Sequence, residues 1–222
     1  MLFDLRSRGR RRTVQGVYLG LALLMGLGLV LFGVGAGNGI GGLLNAFTGN
    51  GSGNNQGQVV SQQEQAALKA VKANPNSATA WSQLVQARWT SAGEGSNFNS
   101  ATNTFTSSGK KKLATLTQDW QQYLQLTKSP NPNVAVLAAR AYAHVGNYAG
   151  AASAWEAQTL ASPNQLGYEC MAAAAFAAGQ SDKATLALNK ALTYVPKAQK
   201  TTIKTQVTAA KAQPSIVQQE CG

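Results

Sequence analysis

The chain has 222 residues, enough for one ordinary domain with an appendage or for two small domains, and too few for a large multi-domain machine. Charged residues make up only 12% of it, about half the usual share. With a single histidine, His144, two cysteines and eight carboxylates spread from Asp4 to Glu220, there is little from which to build a catalytic triad or a metal cluster, so no enzyme activity, metal or cofactor is expected.

The net charge of +11 is unevenly placed. Arg6, Arg8, Arg10, Arg11 and Arg12 against Asp4 supply +4 of it within the first dozen residues, and the rest is spread thinly beyond residue 60. A reader of DNA or RNA concentrates its charge on one face with aromatics between. Beyond residue 60 only Lys110, Lys111 and Lys112 form a run, so nucleic acid is not an expected partner.

After a basic tail, residues 1–13, the segment Val14 to Ala36 reads VQGVYLGLALLMGLGLVLFGVGA, 23 residues without a charge. As a helix it would span roughly 34 Å, enough to cross a hydrocarbon core of ~30 Å. A transmembrane helix is therefore predicted over 14–36. Five arginines precede it and no Lys or Arg follows until Lys69, so the positive-inside rule places the N-terminus in the cytoplasm and everything from Gly37 outside it. The expected location is thus a plasma membrane, crossed once. A cleaved signal peptide, cut after Ala36, is the alternative, but its apolar region is usually about 7 to 15 residues, which favours an uncleaved signal-anchor. Gly16 and Gly20, four residues apart, would let two such helices approach closely. Residues 37–60, dominated by Gly and Asn, read as a flexible tether between the membrane span and a folded domain.

From Ser61 onward the pattern is helical, broken by Pro and Gly. Ser61 with Glu64 reads as a capping box opening a helix that runs to about Ala73. Further helices are predicted near 77–91, 110–127, 133–145, 148–161, 166–178, 181–194 and 197–211, leaving 212–222 as a tail. A period organises them. Gly146, Ala151 and Pro163 recur 33 residues later as Gly179, Ala184 and Pro196. Each landmark has a mechanical role: Gly for a tight turn between helices, a small Ala for their close approach, Pro to end the unit.

This pattern resembles the tetratricopeptide repeat (TPR). Tyr142, Gly146, Tyr148, Ala151, Trp155 and Pro163 stand at signature positions of one unit; Tyr168, Gly179, Ala184, Leu188, Ala191 and Pro196 stand at those of the next. An earlier unit begins with Trp81 and Leu84 and closes with the helix carrying Trp120. The departures are Ala in place of the expected Leu and Gly in two first helices, an aromatic slot shifted by one, and Lys128 where a Pro would end the first unit. The resemblance implies an all-α fold over 61–211: an α-solenoid of about three TPR-like hairpins with a capping helix at its C-terminal end. An insertion, about 92–109, separates the two helices of the first unit, and Phe98 and Phe105 suggest that it folds back on the stack. Ser108-Gly109-Lys110-Lys111 lacks the glycine spacing of a phosphate loop.

In TPR stacks the first helix of each unit lines a peptide-binding groove. The residues so placed are Gln86 and Trp89, Arg140 and His144, and Ala173 and Phe176. Arg140 and His144, four apart, share a helix face that would grip a carboxylate or a carbonyl. Cys170 and Cys221 fall on the oxidising side, where a disulfide, two free thiols or a cross-link between chains are all open. The chain as a whole is similar to small membrane-anchored TPR proteins of bacteria. That likeness implies a non-enzymatic, extracytoplasmic scaffold that binds a protein or peptide in the cell envelope, as the anchored TPR subunit beside a protein translocon does during export or assembly. The alternative is a structural subunit that forms homo-oligomers through its membrane helix and repeats.

Overall fold

Residues Gln56–Gly222 are described by a computed structural model. The basic tail, the predicted membrane helix at 14–36 and the greater part of the tether lie outside the described residues. Among the described residues, no helix is long and apolar enough to cross a membrane.

The described part is all-α but for one small hairpin. Its helices are α1 (Gln56–Ala73), α2 (Ala78–Ala92), α3 (Ser107–Leu126), α4 (Pro132–His144), α5 (Tyr148–Ala161), α6 (Gln165–Ala177), α7 (Ser181–Ala191), α8 (Lys200–Ala209) and α9 (Ile216–Cys221). Between α2 and α3 a 3-10 turn leads into β1 (Phe98–Asn99) and β2 (Thr104–Phe105), antiparallel with Phe98 opposite Phe105. Helix starts follow from short polar caps that satisfy otherwise unpaired backbone donors. The side chains of Ser77, Thr106, Asn131, Asn147 and Asn164 accept from the amides of Ala80, Gly109, Asn133, Gly150 and Gly167, respectively. Pro132, which has no amide hydrogen to leave unpaired, opens α4.

Short connections make neighbouring helices antiparallel. Each of α1 to α6 packs on the next, α2 also meets α4, and α8 lies on α6. The main core is rich in alanine: Ala135, Ala138, Ala139, Ala151, Ala152, Ala174, Ala175 and Ala184 are fully buried around Leu113, Leu116, Trp120 and Trp155. Such small side chains let helix axes approach, while the tryptophans supply the volume that alanine cannot. A smaller cluster, Ala67, Val71, Ala80 and Leu84, joins α1 to α2.

Three sequence expectations are corrected. Helix α1 starts at Gln56 rather than Ser61, so the tether expected over 37–60 loses its last five residues to the helix. Val59 and Val60 are half-buried, which favours continuing the helix through them. Ser61 is consequently an exposed mid-helix residue, and Glu64 does not complete a capping box, because its carboxylate is engaged across the bundle by α2 and α3. The 212–222 tail is not featureless: it forms α9, whose Val217 is fully buried.

Candidate functional site

The candidate site is the face formed by the later turns of α2 and α4, and it begins with local geometry. Trp89 is one turn from the end of α2, and His144 is the last residue of α4. Their ring centroids are 6.4 Å apart. Phe105 from β2 stands against both, 5.9 Å from Trp89 and 4.7 Å from His144, in the edge-to-face arrangements that aromatic quadrupoles favour. Phe98 stacks edge-on behind Phe105 at 5.2 Å. The insertion thus folds back on the helices, as its two phenylalanines suggested. Gly109, buried at the start of α3, permits this closure: a Cβ there would collide with the Asn97 carbonyl.

Burial, followed by the positive charges of Lys110 and Arg140, holds the His144 imidazole below its ordinary pKa, so it is neutral at pH 7. Arg140, one turn earlier on α4, is half-buried, and its Nε is buried with no hydrogen-bond partner. The arrangement is an aromatic wall with a guanidinium beside it, suited to holding an apolar side chain together with an acceptor. Among the described residues, no three His, Cys, Asp or Glu side chains converge as a metal site requires.

The other groove candidates are placed differently. Gln86 spends its amide on its own helix, donating to the Ser82 carbonyl at 3.2 Å. Ala173 is buried within α6. Phe176, also on α6, packs against the main core and takes no part in the aromatic pairings around His144. Cys170 of α6 and Cys221 of α9 are joined in a disulfide, with Cα atoms 5.6 Å apart and a sequence separation of 51.

Sequence reasoning missed a buried ion network that joins α1, α2 and α3 next to this face, with Arg88 and Ser91 on either side of Trp89 along α2. Glu64 of α1 accepts from Lys112 Nζ at 2.7 Å and from Ser91 Oγ at 2.6 Å, and Arg88 of α2 bridges it to Asp119 of α3. Burial opposes ionisation of Glu64, but the hydrogen bonds from Lys112 and Ser91 and the charges of Lys112 and Arg88 outweigh it, holding its carboxyl below the ordinary value. At Asp119 burial prevails over the Arg88 charge and hydrogen bond, pushing its carboxyl up to about 6. The only sequence signal was a carboxylate scarce enough to need a partner.

No model of a known protein family matches the chain, and neither a curated protein nor a solved structure matches it.

Proposed function

We propose that the chain is a membrane-anchored scaffold whose helical domain, of TPR-like repeats, binds peptide or protein segments outside the cytoplasm, in the assembly or export of envelope proteins. The observation that carries this reading is the repetition itself. The turns at Gly146 and Gly179 have the same backbone form, with φ of 79° and 74°, and the alanines five residues after each, Ala151 and Ala184, are both fully buried. Repeats of this kind stack into extended surfaces used for binding. The Trp89, Phe105, His144 and Arg140 face supports a binding role by its chemistry. The Cys170–Cys221 bond supports a compartment where disulfides persist, in keeping with the arginine-flanked apolar span at 14–36.

Two measurements test this. Protease added outside spheroplasts should digest the domain beyond residue 56 of the full-length chain, and its protection would move the scaffold to the cytoplasm. Crosslinking in native membranes should yield heterologous products. Self-products alone would favour the oligomeric structural subunit, for which Gly16 and Gly20 provide the close-packing pair.

A further inference from the structure

The face carrying Arg140 and His144 is already covered by part of the same chain. Helix α9 packs on α4 and α6, first helices of successive hairpins. Val217 is fully buried there, and Cys221, four residues on, is bonded to Cys170. Gln218 Nε2 donates to Tyr148 Oη at 3.3 Å. A Cβ placed on Gly222 would lie 2.9 Å from His144 Nε2, so the chain passes directly over the imidazole.

A six-residue helix is too short to persist in water by itself. Its seat and its covalent bond hold it. Yet α9 leaves the cationic side of that seat unmet: Glu220 is exposed, and among the described residues neither it nor Arg140 enters an ion pair. The segment matches the seat in its apolar positions and mismatches it in charge.

We propose that residues 214–222 are a cis occupant of the recognition face, and that this face takes in trans a short helical segment of a partner protein with small apolar side chains four residues apart and a carboxylate reaching Arg140. This rests on the scaffold reading of the domain. Helix-in-groove recognition of that kind uses few anchors. A tethered occupant acts at an effective concentration on the order of millimolar, and the Cys170–Cys221 bond fixes it further, so it excludes a partner of moderate affinity while that bond is intact.

The test uses two fluorescent nonapeptides with the sequence of residues 214–222, both carrying Cys221→Ser and the second also Gln218→Glu and Gln219→Glu. Anisotropy titrations compare the full-length chain with two variants: a stop after Gln213, and the full-length Val217→Asp, Cys221→Ser double variant. The expected result is at least tenfold tighter binding by the variants than by the parent chain. The peptide with the two added carboxylates should bind several-fold tighter than the one carrying Glu220 alone, and adding Arg140→Met should erase that difference. Folded variants that bind neither peptide, or bind no better than the parent, overturn the proposal. If both variants unfold, α9 is an integral part of the core rather than an occupant, which overturns it equally. Crosslinking separates this from the scaffold reading. Equal heterologous yield from parent and stop variant leaves that reading intact and sinks the occupant, whereas peptide binding with no heterologous product in any membrane sinks the scaffold reading alone.

Discussion

Gly146 and Gly179, 33 residues apart, close their helices with the same hydrogen bonds. In the first turn the Gly146 amide donates to Ala143 and the Asn147 amide to Tyr142; in the second the Gly179 amide donates to Phe176 and the Gln180 amide to Ala175. Both glycines have positive φ, 79° and 74°, and a Cβ on either would meet nothing within 4 Å. The requirement is therefore one of backbone conformation and not of space. Gly146→Ala and Gly179→Ala should each destabilise the domain by about 1 kcal/mol or more, and by similar amounts. Denaturant midpoints of the two variants check this, and strongly unequal losses would mean that the turns are not equivalent.

Ala151 and Ala184, both fully buried at the next helix, depend on space instead. Leu at either position should overpack the hairpin at a cost of roughly 1 to 3 kcal/mol. Unchanged thermal unfolding of both variants would refute the repeat register.

The Glu64–Arg88–Asp119 network sets a pH dependence whose sign follows from the two carboxyls. The folded state holds the Asp119 proton up to about pH 6, above the ordinary aspartate value of 3.8. Its stabilising contribution is thus complete below about pH 4 and is lost as pH rises through 6. Relative to Asp119→Asn, the parent chain should lose about 2 kcal/mol between pH 4 and pH 7. Glu64 acts in the opposite sense, contributing above its ordinary pKa and losing that contribution as pH falls through its lowered folded value. Urea titrations of the parent and Asp119→Asn chains across pH 4 to 7 measure the difference, and parallel profiles would contradict it.

Among the described residues, Arg88 is the one cation shared by both carboxylates. Arg88→Ala leaves Asp119 buried beside Glu64 without compensation and should cost roughly 3 to 5 kcal/mol at pH 7. Part of that loss should return at pH 5, where Asp119 takes up its proton. A loss of the same size at both pH values would show that Arg88 contributes by packing.

Phe105 stands between Trp89, His144 and Phe98, so one ring joins the insertion to α2 and α4 beside the hydrogen bonds made by Asn97. Phe105 is half-buried, so Phe105→Ala should cost about 1 to 3 kcal/mol. It should also raise amide hydrogen exchange across residues 95–106 before the rest of the domain responds. Protection there equal to the parent would mean that the Asn97 contacts alone hold the hairpin.

What the sequence determined by itself is what a few neighbouring residues decide. The Gly146 and Gly179 turns placed helix boundaries within a residue or so, because a positive φ acts within about five positions of the chain. The 33-residue period was legible for the same reason, since each unit repeats the same local rules. The tertiary structure alone decided which distant groups meet. Glu64 looked like a capping residue until Lys112, 48 positions away, was brought to it. The face of Arg140 and His144 looked open until α9 crossed it, with Gln218 reaching Tyr148 over 70 positions. Those partners are selected by the volume and charge left unfilled once the helices have packed, a quantity that no local window of sequence contains.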